Sequence, residues 1–173
     1  MSTKRLLVAA IVMMLNHNAI ADATDECALG AGLSSVGEWE ETVHWTSPSG
    51  FGTDRSVLTR THLGGGSFKV NWADTATGES GENTYDVSAK TVNFGYLKEK
   101  DIPYERVTCV KNGESYSSIF RYTATHVEGG TFDYEVRVLF APNHINQVTM
   151  VRNAGSNDPY TPVSLVRAVR SSD

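Results

Sequence analysis

The chain has 173 residues, with 15 Lys and Arg against 20 Asp and Glu, so its formal net charge is −5 at pH 7. An acidic chain without a basic cluster is not expected to bind nucleic acid or an anionic membrane surface. Its length after removal of a leader suits a single domain with one hydrophobic core.

The first residues have the pattern of a secretory signal. Lys4 and Arg5 precede an apolar run at 6–15, and Ala-Ile-Ala at 19–21 has the small-x-small spacing of a cleavage site. The run is shorter than the roughly 20 residues of a membrane-spanning helix. We therefore expect residues 1–21 to be a cleaved signal peptide and the mature protein to be periplasmic or secreted. An uncleaved anchor is the alternative.

Two cysteines, Cys27 and Cys109, remain in the mature chain. In an oxidising compartment, an even pair without metal-like spacing is most simply a disulfide. Such a bond would close a long loop and stabilise the fold by roughly 4 kcal/mol on the chain-entropy model. Two free thiols are the alternative.

Residues 22–35 are expected to form an N-terminal segment with a short helix, weakened by Gly30 and Gly32. Beyond it, runs of alternating polarity are separated by turn signals such as Asn112-Gly113. About ten strands are predicted, at 38–45, 56–63, 68–72, 85–87, 92–96, 104–110, 116–127, 132–140, 145–152 and 162–170.

Many short strands without covering helices predict an all-β domain over residues 36–173. An antiparallel up-and-down β-barrel of about 8–10 strands is favoured, because closure removes exposed edges, and a sandwich is the alternative. An outer-membrane barrel also alternates and carries a signal. However, Asp133, Glu135 and Arg137 on one face of a strand would be costly in lipid. We therefore do not expect the protein to be membrane-embedded.

The tripeptide Gly37-Glu38-Trp39 at the first strand resembles the Gly-x-Trp opening of the lipocalin and calycin group. The resemblance implies a lipocalin-like or fatty-acid-binding-protein-like barrel in which Gly37 and Trp39 are structural. It also implies an arginine of the last strand stacked on the tryptophan. Arg167 shares parity with apolar residues of that strand, so we expect its guanidinium within about 6 Å of the Trp39 ring. Arg170 is the alternative partner.

Aromatic residues recur at the inward positions of the predicted barrel, which suits a small hydrophobic ligand. The alternative is that these residues are only core and that the arginines face solvent. Fatty-acid-binding barrels hold a ligand carboxylate with arginine and tyrosine, and Arg106 with Tyr134 could do the same here. The cavity candidates are Glu41, Trp45, Trp72, Phe94, Arg106, Arg121, Phe132 and Tyr134. The direction of Arg121 is left open by its neighbours.

No catalytic motif or metal-binding motif is evident in the sequence. It lacks a nucleophile elbow, a P-loop and a dinucleotide fingerprint, and its histidines form no local ligand pair. No cofactor is expected, although some small lipocalin-like barrels bind haem, for which His126 or His144 could be the axial ligand. An enzyme that uses Glu41, Arg106 and Tyr134, or an interaction domain with a filled barrel, are the alternatives to a binding protein.

Overall fold

The computed structural model describes residues 23–47 and 50–171, so the expected signal peptide lies outside the described residues. Within them, helix α1 (23–34) precedes eleven strands. The strands are β1 Gly37–Ser47, β2 Gly50–Gly64, β3 Ser67–Asp74, β4 Ser80–Asp86, β5 Thr91–Asn93, β6 Ile102–Pro103, β7 Glu105–Asn112, β8 Ser115–Thr125, β9 Thr131–Ala141, β10 His144–Asn153 and β11 Thr161–Arg170. No helix in this part of the chain is long and apolar enough to cross a membrane.

The strands form one antiparallel, up-and-down sheet that curls into a nearly closed barrel. Strands that are neighbours in sequence pair throughout β1 to β6 and β7 to β11, and β1 also pairs with β11. The two edges of the sheet are β6 and β7, which are joined only by Tyr104. The predicted barrel is thereby confirmed over the sandwich. The two-residue strand β6 was missed because so short a segment shows no alternation.

The seam between the two edges is bridged by the chain after β5. Leu97 pairs with His126, the amide of Lys98 donates to the carbonyl of Thr125 at 3.0 Å, and that of Val127 donates to Tyr96 at 3.0 Å. These bonds satisfy backbone groups that an open edge would present to other chains.

Helix α1 lies across one end of the barrel, here called the helix end, where β1 begins and β11 ends. Ala28 packs with Phe68 and Val87, and the Cys27–Cys109 disulfide joins the helix to β7. A Cβ on Gly32 would lie 2.5 Å from Cζ of Phe68, so only glycine permits this approach. The glycines that weaken the helix in isolation therefore let it dock on the barrel.

The first strand and the last strand meet at this end through Trp39. The Trp39 side chain is fully buried, and its indole nitrogen donates to the carbonyl of Ser35 at 2.9 Å. The prediction that Arg167 covers this ring is wrong. Val166 and Ala168 are buried and Arg167 is exposed, so the inner parity of β11 is the one that includes Arg170. The alternative partner Arg170 therefore stacks on Trp39.

Candidate functional site

The candidate site is the barrel interior between the helix end and the opposite end, here called the distal end, where β1 ends and β2 begins. Two sides of this interior differ in chemistry. One side, here called the aromatic wall, is formed by Phe94, Tyr96, Phe120, Tyr122, Phe132 and Tyr134. The other, here called the polar wall, has Glu41, Ser56, Arg60, Gln147, Thr149 and Ser164 on the inner face of β1, β2, β10 and β11.

The aromatic wall is a continuous set of ring contacts. Tyr122 and Tyr134 stack with their centroids 4.8 Å apart, and Phe94 stacks on Tyr96 at 5.4 Å. The hydroxyls of Tyr96 and Tyr122 share a hydrogen bond of 2.8 Å. Tyr122 and Tyr134 are buried, whereas Tyr96 exposes 37% of its surface. The wall thus runs without a break from the core to the solvent.

Burial changes the acidity of the tyrosines in the aromatic wall. Desolvation raises the pKa of Tyr134 to about 12. It also raises the pKa values of Tyr122 and of Tyr96 well above their ordinary range: the Tyr96 ring is partly exposed, but its hydroxyl is hydrogen-bonded to that of buried Tyr122, where a phenolate would lose its hydration. All three side chains are therefore neutral at physiological pH and can both donate and accept hydrogen bonds.

Two tryptophans on the facing strands pack against glycines. A Cβ on Gly52 would lie 2.3 Å from the Trp45 ring, and a Cβ on Gly81 would lie 2.5 Å from the Trp72 ring. Each indole therefore lies directly against the backbone of the neighbouring strand. Both belong to the inner parity of their strands: Trp45 lies on β1 toward the distal end from Glu41, and Trp72 lies on β3, the strand next to β2.

Glu41 and Arg60 are the charged members of the polar wall. Glu41 alternates with the buried Trp39 on β1 and pairs with Ala168, which is also fully buried. Burial raises the pKa of Glu41, and the positive charge of Arg60 partly offsets this effect. Arg60 lies opposite Gly37 on the same inner parity as Leu58. Its Nε atom is buried and meets no hydrogen-bond acceptor in the described part of the chain.

The predicted Arg106 site is sealed at the helix end. Arg106 donates to Asp25, to the hydroxyl of Tyr104 at 2.7 Å and to the carbonyl of Val87 at 3.2 Å, and its side chain is 4% exposed. Its donors are used to fix α1 against the barrel. Tyr134 instead contacts the rings of the aromatic wall. The structure does not bring Arg106 and Tyr134 together.

Arg121 lies on the outer surface of the barrel. Its Nε donates to Glu135 at 2.7 Å, and Arg137 donates to the other oxygen of the same carboxylate at 2.6 Å. Burial alone would raise the pKa of Glu135, but the hydrogen bonds from the two arginines lower it below its ordinary value. Arg121 is therefore part of an external ion-pair cluster and not of the interior.

The remaining predicted residues have separate environments. Phe94, Phe132 and Tyr134 belong to the aromatic wall, and Trp45 and Trp72 lie on the inner faces of β1 and β3. His126 lies near the distal end with its ring centroid 6.1 Å from that of Tyr96, whereas His144 alternates with the buried Ile145 and faces outward. Among the described residues, no group of three or more His, Cys, Asp or Glu side chains could hold a metal ion.

Eight residues of the two walls were not predicted from the sequence, among them Arg60, Tyr122 and Tyr96. Arg60 shares parity with Leu58, but polar residues on both faces of β2 hide that alternation. The alternation of this strand placed Tyr122 and Arg121 on opposite faces, but no role was assigned to Tyr122. Tyr96 follows β5 in an irregular segment, where periodicity gives no direction for a side chain.

The two outer grooves are weaker candidates for ligand binding. One, of about 470 Å³, lies over β2, β3 and β4, and another, of about 410 Å³, lies beside Arg170 at the helix end. Both are open to solvent and would bury little of a small molecule, whereas ligand sites usually enclose most of the ligand.

Comparison with known proteins shows a similarity in fold. The chain is similar to the crystal structure of Rv2717c from M. tuberculosis, with a TM-score of 0.58 and 13% sequence identity over 84% of this chain and 98% of that chain. No family model and no curated protein matches the sequence. The nearly closed antiparallel barrel fits a calycin-like fold.

Proposed function

We propose that this barrel is a binding protein that holds a small hydrophobic, ring-bearing ligand in its interior, with the ring against the aromatic wall. The observation that carries the proposal is the aromatic wall, which continues from buried Tyr122 and Tyr134 to the partly exposed Tyr96. Apolar ring surface is therefore continuous from the core to the partly exposed Tyr96.

The energetics of ring contacts support an aromatic or alicyclic ligand. Apolar surface removed from water contributes roughly 25 cal/mol per Å². A well-oriented aromatic pair adds about 0.5–1.5 kcal/mol beyond this term. Because Tyr134 contacts Tyr96, Tyr122 and Phe132, the wall is already ordered before a ligand arrives. Little side-chain entropy would then be lost on binding.

The disulfide supports action in the periplasm or outside the cell. The Cys27–Cys109 bond joins α1 to β7 with an S–S distance of 2.03 Å. Disulfides of this structural kind persist in oxidising compartments. The signal peptide expected at residues 1–21 would deliver the chain there.

An enzyme on the same barrel is the less favoured alternative. Its proposed residues were Glu41, Arg106 and Tyr134, but Arg106 is occupied by Asp25, Tyr104 and the Val87 carbonyl. An interaction domain with a filled barrel is the other alternative, and it predicts no binding of small apolar molecules.

The proposal is tested with the neutral fluorescent probe N-phenyl-1-naphthylamine and the mature, oxidised protein. We expect saturable binding with one site per chain. Tyr134→Leu should weaken it by about tenfold, a loss equivalent to about 1.4 kcal/mol. Phe51→Leu is the matched control, because Phe51 is 86% exposed and lies outside the interior. Absence of binding to the folded protein, or equal losses in the two variants, would contradict the proposal.

Protein purified from its own compartment provides a second readout. Native mass spectrometry before and after denaturation should show a co-purifying apolar molecule, and a Soret absorbance band would identify that molecule as haem. A protein that carries no ligand and does not bind the fluorescent probe would support the alternative of an interaction domain.

A further inference from the structure

The polar wall contains a hydrogen-bond donor that the fold itself does not use. The Nε atom of Arg60 is buried and has no hydrogen-bond partner among the residues that the structure describes. Buried donors in proteins are nearly always paired, because an unpaired one loses its hydration without compensation. The orphaned Nε–H therefore marks a place where a ligand acceptor would be favoured.

A carboxylate lies on the same inner face as this donor. In the register of β1 and β2, Arg60 is opposite Gly37 and Glu41 is opposite Ser56, with the Trp39–Leu58 pair between them. Arg60 is close enough to influence the ionisation of Glu41. Nevertheless, among the ion pairs of the described residues, none joins these two side chains.

The charges of this pair limit the charge of a ligand. Glu41 and Arg60 carry one negative and one positive charge, which compensate each other. A charged ligand group placed between them would leave one excess charge in the interior, and an unpaired buried charge is costly. A neutral group with one acceptor and one donor would satisfy both side chains without adding charge.

We propose that the ligand enters with a neutral polar end group, a carbonyl next to an N–H or O–H, which accepts from Arg60 Nε and donates to Glu41. This inference rests on the proposed binding function and specifies the ligand class as a ring-bearing amphiphile of the carboxamide type. The polar end lies beside Glu41, two residues beyond Trp39 on β1, and the ring lies toward Trp45 and the aromatic wall.

The depth of the two groups along β1 supports this orientation. Trp39, Glu41, Val43 and Trp45 follow one another on the inner face from the helix end to the distal end. The charged pair is thus deeper than Trp45, and Tyr96 at the distal end is the exposed part of the aromatic wall. A ligand that entered ring first would place its polar group among the rings and leave Arg60 unpaired.

The experiment compares four probes that share one ring system: 2-naphthamide, 2-naphthoate, 2-naphthylmethylammonium and 2-methylnaphthalene. Dissociation constants are measured by calorimetry with the mature, oxidised protein. We expect 2-naphthamide to bind at least about tenfold more tightly than 2-methylnaphthalene, the difference typical of hydrogen bonds to charged groups. The two charged probes should bind more weakly than the amide.

Variants of the pair identify the contacts. Arg60→Met should bring the affinities for 2-naphthamide and 2-methylnaphthalene to within about twofold of each other. Glu41→Gln, whose amide oxygen can still accept from the ligand, should reduce the ratio of the two affinities by the charge-assisted part. Glu40→Gln is the matched control, because Glu40 is exposed on the opposite face of β1. The indole signals of Trp45 and Trp72 in NMR spectra verify that each variant is folded and that the probe lies in the barrel.

Failure of this inference is distinguishable from failure of the binding function. If 2-methylnaphthalene binds as tightly as the amide, or if the Arg60 and Glu41 variants keep the amide preference, the polar contact is wrong and the apolar site stands. Tightest binding by 2-naphthoate would also overturn the inference, since it would show that Arg60 selects an anion. If none of the four probes binds, the proposed function itself fails.

Discussion

The guanidinium of Arg170 lies over the indole of Trp39, with its carbon 4.4 Å from the ring centre. Its three nitrogens donate to the carbonyls of Pro142, Val36 and Ser34 at 2.9, 3.0 and 2.9 Å. One side chain therefore covers the buried ring, binds the chain between α1 and β1, and joins it to the turn before β10.

Replacement of this arginine should destabilise the whole barrel. Arg170→Met keeps an unbranched apolar chain over Trp39 but removes the hydrogen bonds and the cation–π contact. We expect the free energy of unfolding to fall by about 2–4 kcal/mol, measured by urea denaturation. Arg167→Met is the matched control and should change it by less than about 0.5 kcal/mol, because Arg167 is exposed. Equal effects of the two substitutions would contradict this role.

The disulfide should make a comparable contribution to stability. It joins residues 82 positions apart, and on the chain-entropy model a loop of this length gives about 4 kcal/mol. The double substitution of Cys27 and Cys109 by Ser should lower the free energy of unfolding by that amount. Dithiothreitol should destabilise the wild type equally and leave the double variant unchanged. If dithiothreitol still destabilises the double variant, it acts on a group other than this disulfide.

The course of β1 could be predicted from the sequence, but the inner face of β11 could not. On β1, both tryptophans share one parity, and Glu38, Glu40 and His44 share the other, so alternation identifies the buried face although Glu41 lies on it. On β11, both parities are apolar. Leu165 and Val169 are 51% and 43% exposed, and Val166 and Ala168 are buried. Only the pairing of Trp39 with Arg170 decides between the two faces, and pairing between distant strands is not visible in local periodicity.

The polar wall was equally difficult to predict from the sequence. Glu41 was named as a cavity candidate because it lies on the parity of Trp39 and Trp45. The arginines named with it were Arg106 and Arg121, and not Arg60, because polar residues on both faces of β2 hide its alternation. The structure instead places Arg60 on the shared inner face, because β1 pairs with β2 in the register that sets Arg60 opposite Gly37.

The tyrosines of the aromatic wall should titrate only as the barrel unfolds. The pKa of Tyr134 is raised from 10.0 to about 12 by burial, so the folded state favours the neutral phenol. This contribution is fully present below pH 10 and is lost as the pH rises from about 10 to about 12, because the unfolded chain releases the proton first. Tyrosinate absorbance should therefore rise together with loss of far-ultraviolet circular dichroism. The Tyr134→Phe variant should unfold at a higher pH than the wild type. An unchanged midpoint pH of unfolding would show that ionisation of Tyr134 does not drive the transition.

Glu135 should stabilise the barrel at neutral pH. Hydrogen bonds from Arg137 and Arg121 lower its pKa, so its contribution is present above the ordinary value of 4.5 and is lost as the pH falls through the lowered one. The side chains of Arg121 and Arg137 are 44% and 57% exposed, and solvent screening limits the effect. We expect Glu135→Gln to cost about 1–2 kcal/mol at pH 7 and less at pH 3, measured by urea denaturation. A cost that grows on acidification would contradict the assignment.

Ionisation of Glu41 should destabilise the barrel, in contrast to ionisation of Glu135. Burial raises the pKa of Glu41 above 4.5, and the attraction of Arg60 only partly offsets this. The stabilisation of its neutral form is therefore complete below pH 4.5 and is lost as the pH rises through the raised pKa. Glu41→Gln should be more stable than the wild type at pH 7, and the difference should shrink at pH 4. Glu40→Gln, on the exposed face of the same strand, should change stability little at either pH. A loss of stability in Glu41→Gln at pH 7 would mean that the attraction to Arg60 exceeds the cost of burying the carboxylate, so that the pair is kept for stability and not for a ligand.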